Sequence, residues 1–336
     1  MPGTIIVTGA NGSIARPAVE HLLANFPDFT LVLAVRNDAA DDVNTKTLRD
    51  VVAKHEDARV SIRKLDLFSL SDVHAFARTI SAEIRDGKLP PLASIVCNAF
   101  YWNLAGPLEL TNDGYEKSFQ VIHLAHVALI LRLLGSFGLD GGRIIIFSTD
   151  GHEKGKNNLE QIPPAIPTEP EKLDLLVKPA QDDPAVADAL GWGFNRYANA
   201  KLASITWGHA LNKKLEKDPK LSKINVVIIN PGNIADSYAL LRNTPQKLHY
   251  ISKFLLRPFR PILKFVDPTV LTSAEAGVNI ARVAVNDALP GERGYFTLLN
   301  KDESSADSHD EARQNALWAR SAQWVGLSAA DTVVPL

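Results

Sequence analysis

The sequence predicts an α/β protein built on a doubly wound, parallel, seven-stranded sheet with helices on both faces. Short β-branched runs alternate with longer amphipathic stretches, which is the pattern of βαβ units. The runs themselves (IIV, LVLAV, IVC, IIIF, VVII) are apolar throughout. A strand with one face in water would alternate instead, so these strands are expected to be covered on both sides. A hydrophobic content of 46% with 22% charged residues supplies an ordinary globular core. In chain order, strands are expected at 4–8, 30–35, 60–65, 94–97, 143–147, 225–229 and 295–299. Helices are expected at 14–25, 70–84, 113–134, 197–215, 273–285 and 311–325, where apolar residues recur at helical spacing.

Dividing 336 residues by a typical domain of roughly 150 points to two domains. A single domain carrying insertions reaches the same length, and we expect that arrangement over residues 1–330. Lys and Arg number 36 against 38 Asp and Glu, a formal charge of −2. Nothing global therefore draws the chain to nucleic acid. The lone Cys97 can neither close an internal disulfide nor build a multi-cysteine metal site, which fits a reducing compartment. The start MPGTIIVTG lacks the pattern of a signal peptide, and no uninterrupted apolar run approaches spanning length. The expectation is a cytoplasmic protein.

Two segments exceed ordinary loop length, and such insertions are more often functional than idle. The first, 150–192, is rich in Pro, Lys and acidic residues and reads as a surface excursion. The second, 233–268, contains LLRNTPQKLHYISKFLLRPFRPILKF, with Lys247, Lys253, Arg257, Arg260 and Lys264 interleaved among apolar residues. A basic lid over an apolar substrate pocket has this composition, and so does a surface resting on a membrane. Pro258 and Pro261 weigh against a long continuous interfacial helix, so the lid is the expected reading.

After the first strand comes Thr8-Gly9-Ala10-Asn11-Gly12-Ser13-Ile14-Ala15, followed by a helical pattern. This is the strand, turn and helix context of a dinucleotide site. Small residues at 9, 12 and 15 let the backbone approach a pyrophosphate, and the unpaired N–H groups of the helix start favour its charge. The second strand ends in Val35-Arg36-Asn37. A carboxylate at such a strand end would hold an NAD ribose, whereas the planar fork of Arg36 suits a 2′-phosphate. NADPH is therefore the expected cofactor. Nearby Asp38 is the feature that favours NADH. Asp66, after the third strand, is placed to accept from an adenine amino group, and Asn98-Ala99, after the fourth, to lie along the cofactor edge.

Tyr197 and Lys201 stand in Y-A-N-A-K, whose spacing of four puts both on one helix face. They follow a strand ending Phe147-Ser148-Thr149 and precede one ending Asn230-Pro231-Gly232. Through TGANGSIA, the Asp66-Leu67 pair, CNAF, IIIFST, YANAK and NPG, in that order, the sequence resembles the short-chain dehydrogenase/reductase family over nearly its whole length. It looks closest to the longer members similar to retinol dehydrogenases and protochlorophyllide reductases. The resemblance implies one Rossmann-like domain, usually oligomeric, that moves hydride between a nicotinamide and a carbonyl or alcohol. It implies Tyr197 as the acid, Lys201 as the ribose holder that lowers the tyrosine's pKa, and Thr149 in place of the usual serine, with Ser148 beside it. Gly9, Asn11, Gly12, Ser13, Ile14, Arg36, Asp66, Leu67, Asn98, Ala99, Pro231 and Gly232 would join Tyr197 and Lys201 in holding the nucleotide.

Three departures matter. The glycine spacing of 9, 12 and 15 follows extended rather than classical members. Phe100 replaces a glycine after Asn-Ala. Ile122 stands where the family has a catalytic asparagine, so the proton route must differ. His152-Glu153 resembles the start of a zinc motif, but no second histidine is in register and no metal is expected. His123 and His126 read as packing and surface residues, while Trp192, Phe194 and Tyr101-Trp102 could line an apolar pocket. The expected function is NADPH-dependent reduction of a carbonyl on a bulky hydrophobic molecule of polyketide, terpenoid or sterol type, in secondary metabolism. A non-redox cyclase, dehydratase or isomerase on the same scaffold would instead explain Ile122 and Phe100. An NADP-sensing regulator would explain a retained nucleotide site.

Overall fold

The structure, a computed structural model, describes residues 2–336 apart from 252, 253, 255 and 256. In chain order the first half comprises β1 (Thr4–Thr8), α1 (Ala15–Asn25), β2 (Thr30–Val35), α2 (Val43–Val52), β3 (Val60–Lys64), α3 (Leu70–Arg85) and β4 (Leu92–Cys97). There follow α4 (Lys117–Phe119), a π-helical turn (Gln120–Leu124) and α5 (Ala125–Leu133), which form one continuous rod, then β5 (Gly142–Phe147). The second half comprises α6 (Pro170–Val177), α7 (Ala189–Lys217), β6 (Ile224–Asn230), β7 (Asn233–Ile234), α8 (Gln246–Ile251), α9 (Arg257–Val266) and β8 (Val270–Leu271). It closes with α10 (Ser273–Ala284), β9 (Gly294–Thr297), β10 (Asn300–Lys301), α11 (Ala306–His309) and α12 (Glu311–Trp324).

Seven strands run parallel in the order β3-β2-β1-β4-β5-β6-β9. An eighth, β10, pairs antiparallel with β9, so the expected seven-stranded sheet gains one short strand at its edge. The reason is local. The run expected to continue as a strand through residue 299 turns back at Leu298, whose φ is +58°, and Asn300 then pairs with Thr297. An apolar side chain at a tight hairpin corner gives no turn signal in the sequence.

The uniform hydrophobicity of the strands is used on both faces. Ile6, Ile95, Ile144 and Ile146 pack toward α3, α5, α7 and α12, while Ile5, Val7, Val96, Ile145 and Phe147 pack toward α1 and α10. Successive side chains point to opposite faces, so a continuous apolar run fills two cores. The helix Lys117–Ser136 has the length and composition of a membrane span, but 89% of its apolar window is buried in the fold. It is the core helix of one face.

Two helices extend the sequence reading. Residues 43–52 form α2, started by Asp42, whose side chain accepts from the Thr45 N–H. The helix bearing the Tyr-Lys pair begins at Ala189 rather than 197, capped by Asp188, which accepts from the Gly191 N–H at 2.9 Å. Gly191 and Gly193 discourage a helix by propensity, and tertiary contacts override them. The insertion at 150–192 thus ends earlier than expected and contains α6. In the second insertion, Pro258 falls in the first turn of α9, where its missing N–H costs no helical bond. With Pro261 also inside it, α9 forms over ten residues, so the two prolines do not prevent a helix here. Lys253 lies outside the described residues, as does the side chain of Arg257.

Candidate active site

The strand order reverses between β1 and β4, and the site lies beyond their carboxyl ends, where an open α/β sheet leaves a crevice. Gly9 leaves β1 with φ +61°, and a Cβ there would stand 3.1 Å from Ala99 Cα and 3.2 Å from Asn98 Nδ2. Only glycine meets both demands. Asn98 donates from Nδ2 to the carbonyls of Thr8 and Gly9 at 2.9 and 3.0 Å, and Ala99 N–H donates to Thr8 Oγ1 at 3.1 Å. These bonds fix the β4 end against the turn. Gly12 N–H closes the turn onto Gly9 O at 2.8 Å, and Ile14 stands at the start of α1. Asn11 reaches the α2 start through Thr45 Oγ1, at 2.9 Å. Gly232, after Pro231, takes φ +87° and donates its N–H to Asn230 Oδ1 at 3.1 Å.

Arg36 is exposed at the end of β2, its guanidinium 5.6 Å from the centre of the Phe68 ring. Asp66 accepts from the Phe68 N–H at 3.0 Å, and Leu67 is buried with its carbonyl toward Gln120. Asp42, at the start of α2, is held below the usual carboxylate range by the Thr45 N–H, with smaller contributions from Thr45 Oγ1 and from the Arg242 and Arg36 guanidiniums. The two arginines therefore share one acidic neighbour.

Tyr197 and Lys201 lie in the buried middle of α7. The Tyr197 phenol bonds the Thr149 side chain. Its ring is edged by Trp102 at 5.3 Å, Phe194 at 6.1 Å and Phe100 at 6.2 Å. Trp102 and Phe194, both expected at the pocket, thus converge with Phe100 on one phenol. Trp192 and Tyr101 do not: Trp192 donates to Asp183 O at 2.9 Å, and Tyr101 bonds Glu109 and edges Phe68. Ser148 turns toward Tyr295 Oη, at 3.4 Å, on the β9 side. Of the adjacent hydroxyls, Thr149 is the one at the phenol.

The Lys201 ammonium donates to Phe147 O at 2.8 Å and sits 5.8 Å from the Tyr197 ring centre. Burial pulls its pKa down to about 7, and burial pushes the Tyr197 phenol up, against the Thr149 hydroxyl that favours its anion. Burial thus opposes the lowering of the phenol expected from the lysine.

Behind Lys201 is a small internal void lined by Cys97, Ile122, His126, Ser204 and Trp207. Ile122 is in the π-helical turn, and its carbonyl receives Ser204 Oγ at 3.2 Å and faces His126 Nδ1 at 3.0 Å. His126 Nε2 is 3.0 Å from Thr8 Oγ1. Both His123 and His126 are buried, which corrects their expected partly surface placement; His123 is spent on Ser321 Oγ at 2.8 Å. His152 is likewise structural, holding the Ser305 N–H at 3.1 Å and facing the Thr149 carbonyl at 2.5 Å.

Two features were not announced by the sequence. One is what the segment expected as a lid meets: its stretch 237–243 forms a strap against Trp102. Tyr238 Oη accepts from Arg16 at 3.1 Å, and the carbonyls of Ala239 and Arg242 accept from Trp102 Nε1, each at 3.3 Å. The Leu104 N–H donates to Asn243 O at 2.7 Å. The other is Gly193, where a Cβ would stand 2.0 Å from Asn103 O. Its glycine in a helix was the only signal. Gly193→Ala is expected to force the 100–104 loop off α7, lowering stability by roughly 2–4 kcal/mol and displacing Trp102. Thermal melts and steady-state kinetics would check this, and an unchanged melting temperature would contradict the close approach.

The fold and this Tyr-Lys-Thr arrangement define a short-chain dehydrogenase/reductase, and the chain belongs to that family. Residues 238–334 match the AcuH dehydrogenase domain family. The dehydrogenase acuH of Aspergillus aculeatus is 46% identical over 86 residues, covering 26% of this chain and 88% of that protein. The short-chain dehydrogenase iccH of Talaromyces variabilis is 27% identical, covering 99% of this chain and 98% of its own length. Mouse retinol dehydrogenase 13 is also 27% identical, over 98% and 86% of the two chains, in line with the resemblance to longer members. A point variant of the actinorhodin polyketide ketoreductase, solved with NADPH, shares the fold at a TM-score of 0.58 and 14% identity, over 88% of this chain and 95% of that one.

Proposed function

We propose that this protein is an NADPH-dependent reductase of a carbonyl on a bulky hydrophobic small molecule. The observation that carries the reading is the Tyr197 phenol, bonded to Thr149, one helical turn from the Lys201 ammonium and ringed by Phe100, Trp102 and Phe194. The residues present fit a nucleotide. Gly9 leaves no room for a side chain at the turn, Asn98 anchors the neighbouring strand end, and exposed Arg36 offers its fork to a 2′-phosphate. Gly12, Ser13 and Ile14 would present the helix start to the pyrophosphate, with Asp66 and Leu67 at the adenine and Ala99, Pro231 and Gly232 along the nicotinamide side. NADPH bound there would supply the hydride.

This chain's own groups then have distinct tasks. Thr149 Oγ1 donates to the carbonyl oxygen, and Tyr197 Oη gives that oxygen its proton as the carbon receives hydride, so the product is the alcohol. Lys201 holds ribose hydroxyls and, once charged, steadies the phenolate left behind. Proton return past Ile122 would run through the void bordered by His126 and Ser204. Ile122→Asn is therefore expected to leave turnover equal or higher; a folded variant without activity would contradict this route. We read residues 1–330 as one cytoplasmic catalytic domain with insertions at 150–192 and 233–268, the strap at 237–243 being the part of the second insertion that covers the pocket.

The test is a fluorescence titration with NADPH and NADH, wild type beside Arg36→Ala, followed by NADPH consumption with a bicyclic aliphatic ketone and with acetone. At least a tenfold preference for NADPH, lost in Arg36→Ala, and faster consumption with the bicyclic ketone are expected. Equal affinities would remove the phosphate assignment. Product formed without NADPH consumption would point to non-redox chemistry.

A further inference from the structure

Helix α9 is amphipathic in an inverted sense. Arg260 and Lys264, four apart on one face, both bind Glu275 at the start of α10, Lys264 at 2.8 Å. The opposite face carries Ile262, Phe265 and Val266 at helical spacing, and these are 62%, 91% and 83% exposed. The charged face is thus pinned to the body of the protein while the apolar face is turned to solvent. Tyr250, Ile251 and Phe254, just before it, are also exposed, with the Tyr250 and Phe254 rings stacked at 6.1 Å. Burying such apolar area is favourable, and a contiguous exposed patch of this kind marks a docking surface.

The charge of the segment in sequence says what the patch meets. Between Ala239 and Val266 the sequence holds Arg242, Lys247, Lys253, Arg257, Arg260 and Lys264 and no Asp or Glu, although the chain as a whole carries −2. A cationic segment with a displayed aromatic and aliphatic wedge is complementary to an anionic lipid surface: the wedge enters the acyl boundary and exposed cations such as Arg242 and Lys247 stay at the headgroups, while Arg260 and Lys264 hold the helix to Glu275. The neighbouring strap, 237–243, bonds Trp102, whose ring lies against Tyr197. We propose that α9 docks this protein on anionic membranes through Ile262, Phe265 and Val266. The docking does not depend on the reductase reading.

The test is flotation of the purified protein, with NADPH present, on vesicles of phosphatidylcholine containing about one third phosphatidylglycerol and on vesicles of phosphatidylcholine alone. Binding to the anionic vesicles should exceed that to the neutral ones at least tenfold at low salt and fall as salt rises. Phe265→Asp should lower binding at least tenfold with circular dichroism and NADPH affinity unchanged. Ile262→Asp provides an independent variant on the same face, and Lys247→Glu, at an exposed cation, should weaken the anionic preference about threefold. Absence of wild-type flotation, equal flotation on both vesicles, or undiminished binding by Phe265→Asp and Ile262→Asp would each overturn the proposal. A concentration-dependent dimer in sedimentation, abolished by Phe265→Asp without any vesicle binding, would also overturn it by giving the face to a second copy.

Discussion

Tyr197→Phe should lower turnover by about 10²–10⁴-fold and leave NADPH affinity within about twofold. The substitution removes one oxygen. The ring stays, and with it the contacts to Phe100, Trp102 and Phe194 that shape the pocket. What is lost is the proton donor and the partner of Thr149. Burial raises the phenol's pKa, so the proton stays on oxygen throughout the neutral range and is available for donation to a developing alkoxide. An NADP-sensing regulator would show no defect, because nucleotide binding needs no acid at this position. Steady-state kinetics beside a nucleotide titration separate the two. A variant retaining more than about one tenth of wild-type turnover would remove Tyr197 from the chemistry.

Lys201→Met should abolish turnover and at the same time stabilise the nucleotide-free protein. The ammonium is buried and donates to Phe147 O, and its pKa falls from the ordinary 10.5 to about 7 because burial disfavours the charge. The unfolded chain thus binds more protons between these two values, and stability rises with pH across that window. Below about pH 7 the whole cost of charging the buried amine is felt. A tenfold change in proton affinity corresponds to about 1.4 kcal/mol, and the unpaired Phe147 carbonyl left in the variant subtracts about 1–3 kcal/mol. The net gain is expected on the order of 1–4 kcal/mol near pH 6, shrinking above pH 7 and turning, toward pH 10.5, into a loss of about 1–3 kcal/mol from the unpaired carbonyl alone. Denaturant melts at pH 6 and pH 10 check it. A gain that grew with pH would contradict a neutralised lysine. The lowered pKa also places the charge change close to neutral pH, so the lysine we propose for the reaction is held at a cost to the fold.

Much of this site is legible along the chain because its determinants are local. A glycine turn between a strand and a helix depends on a few consecutive residues, and Gly9 adopts the conformation its position demands. Four-residue spacing on a helix puts Tyr197 and Lys201 on one face regardless of what surrounds it. Other determinants are remote in sequence. Thr149 faces the phenol and Ser148 faces Tyr295 because successive residues leaving β5 point opposite ways, and the sheet decides which way is inward. The strap from 237 to 243 reaches Trp102 across some 140 residues of chain, and no pattern in either segment announces the other. Gly191 and Gly193 lower the helix propensity of their segment, yet α7 runs through both, and they give room to Gln161 and Asn103, far off in sequence.

By itself the sequence determined the parallel sheet, the glycine turn and the Tyr-Lys register, since hydrophobic periodicity and short spacings act within a single element. Only the tertiary structure decided the protonation preferences of Tyr197 and Lys201, the edge strand β10, the burial of His123 and His126, and the outward apolar face of α9. These depend on which groups are desolvated or paired when distant elements pack, and desolvation is a property of the whole assembled core rather than of any stretch of residues.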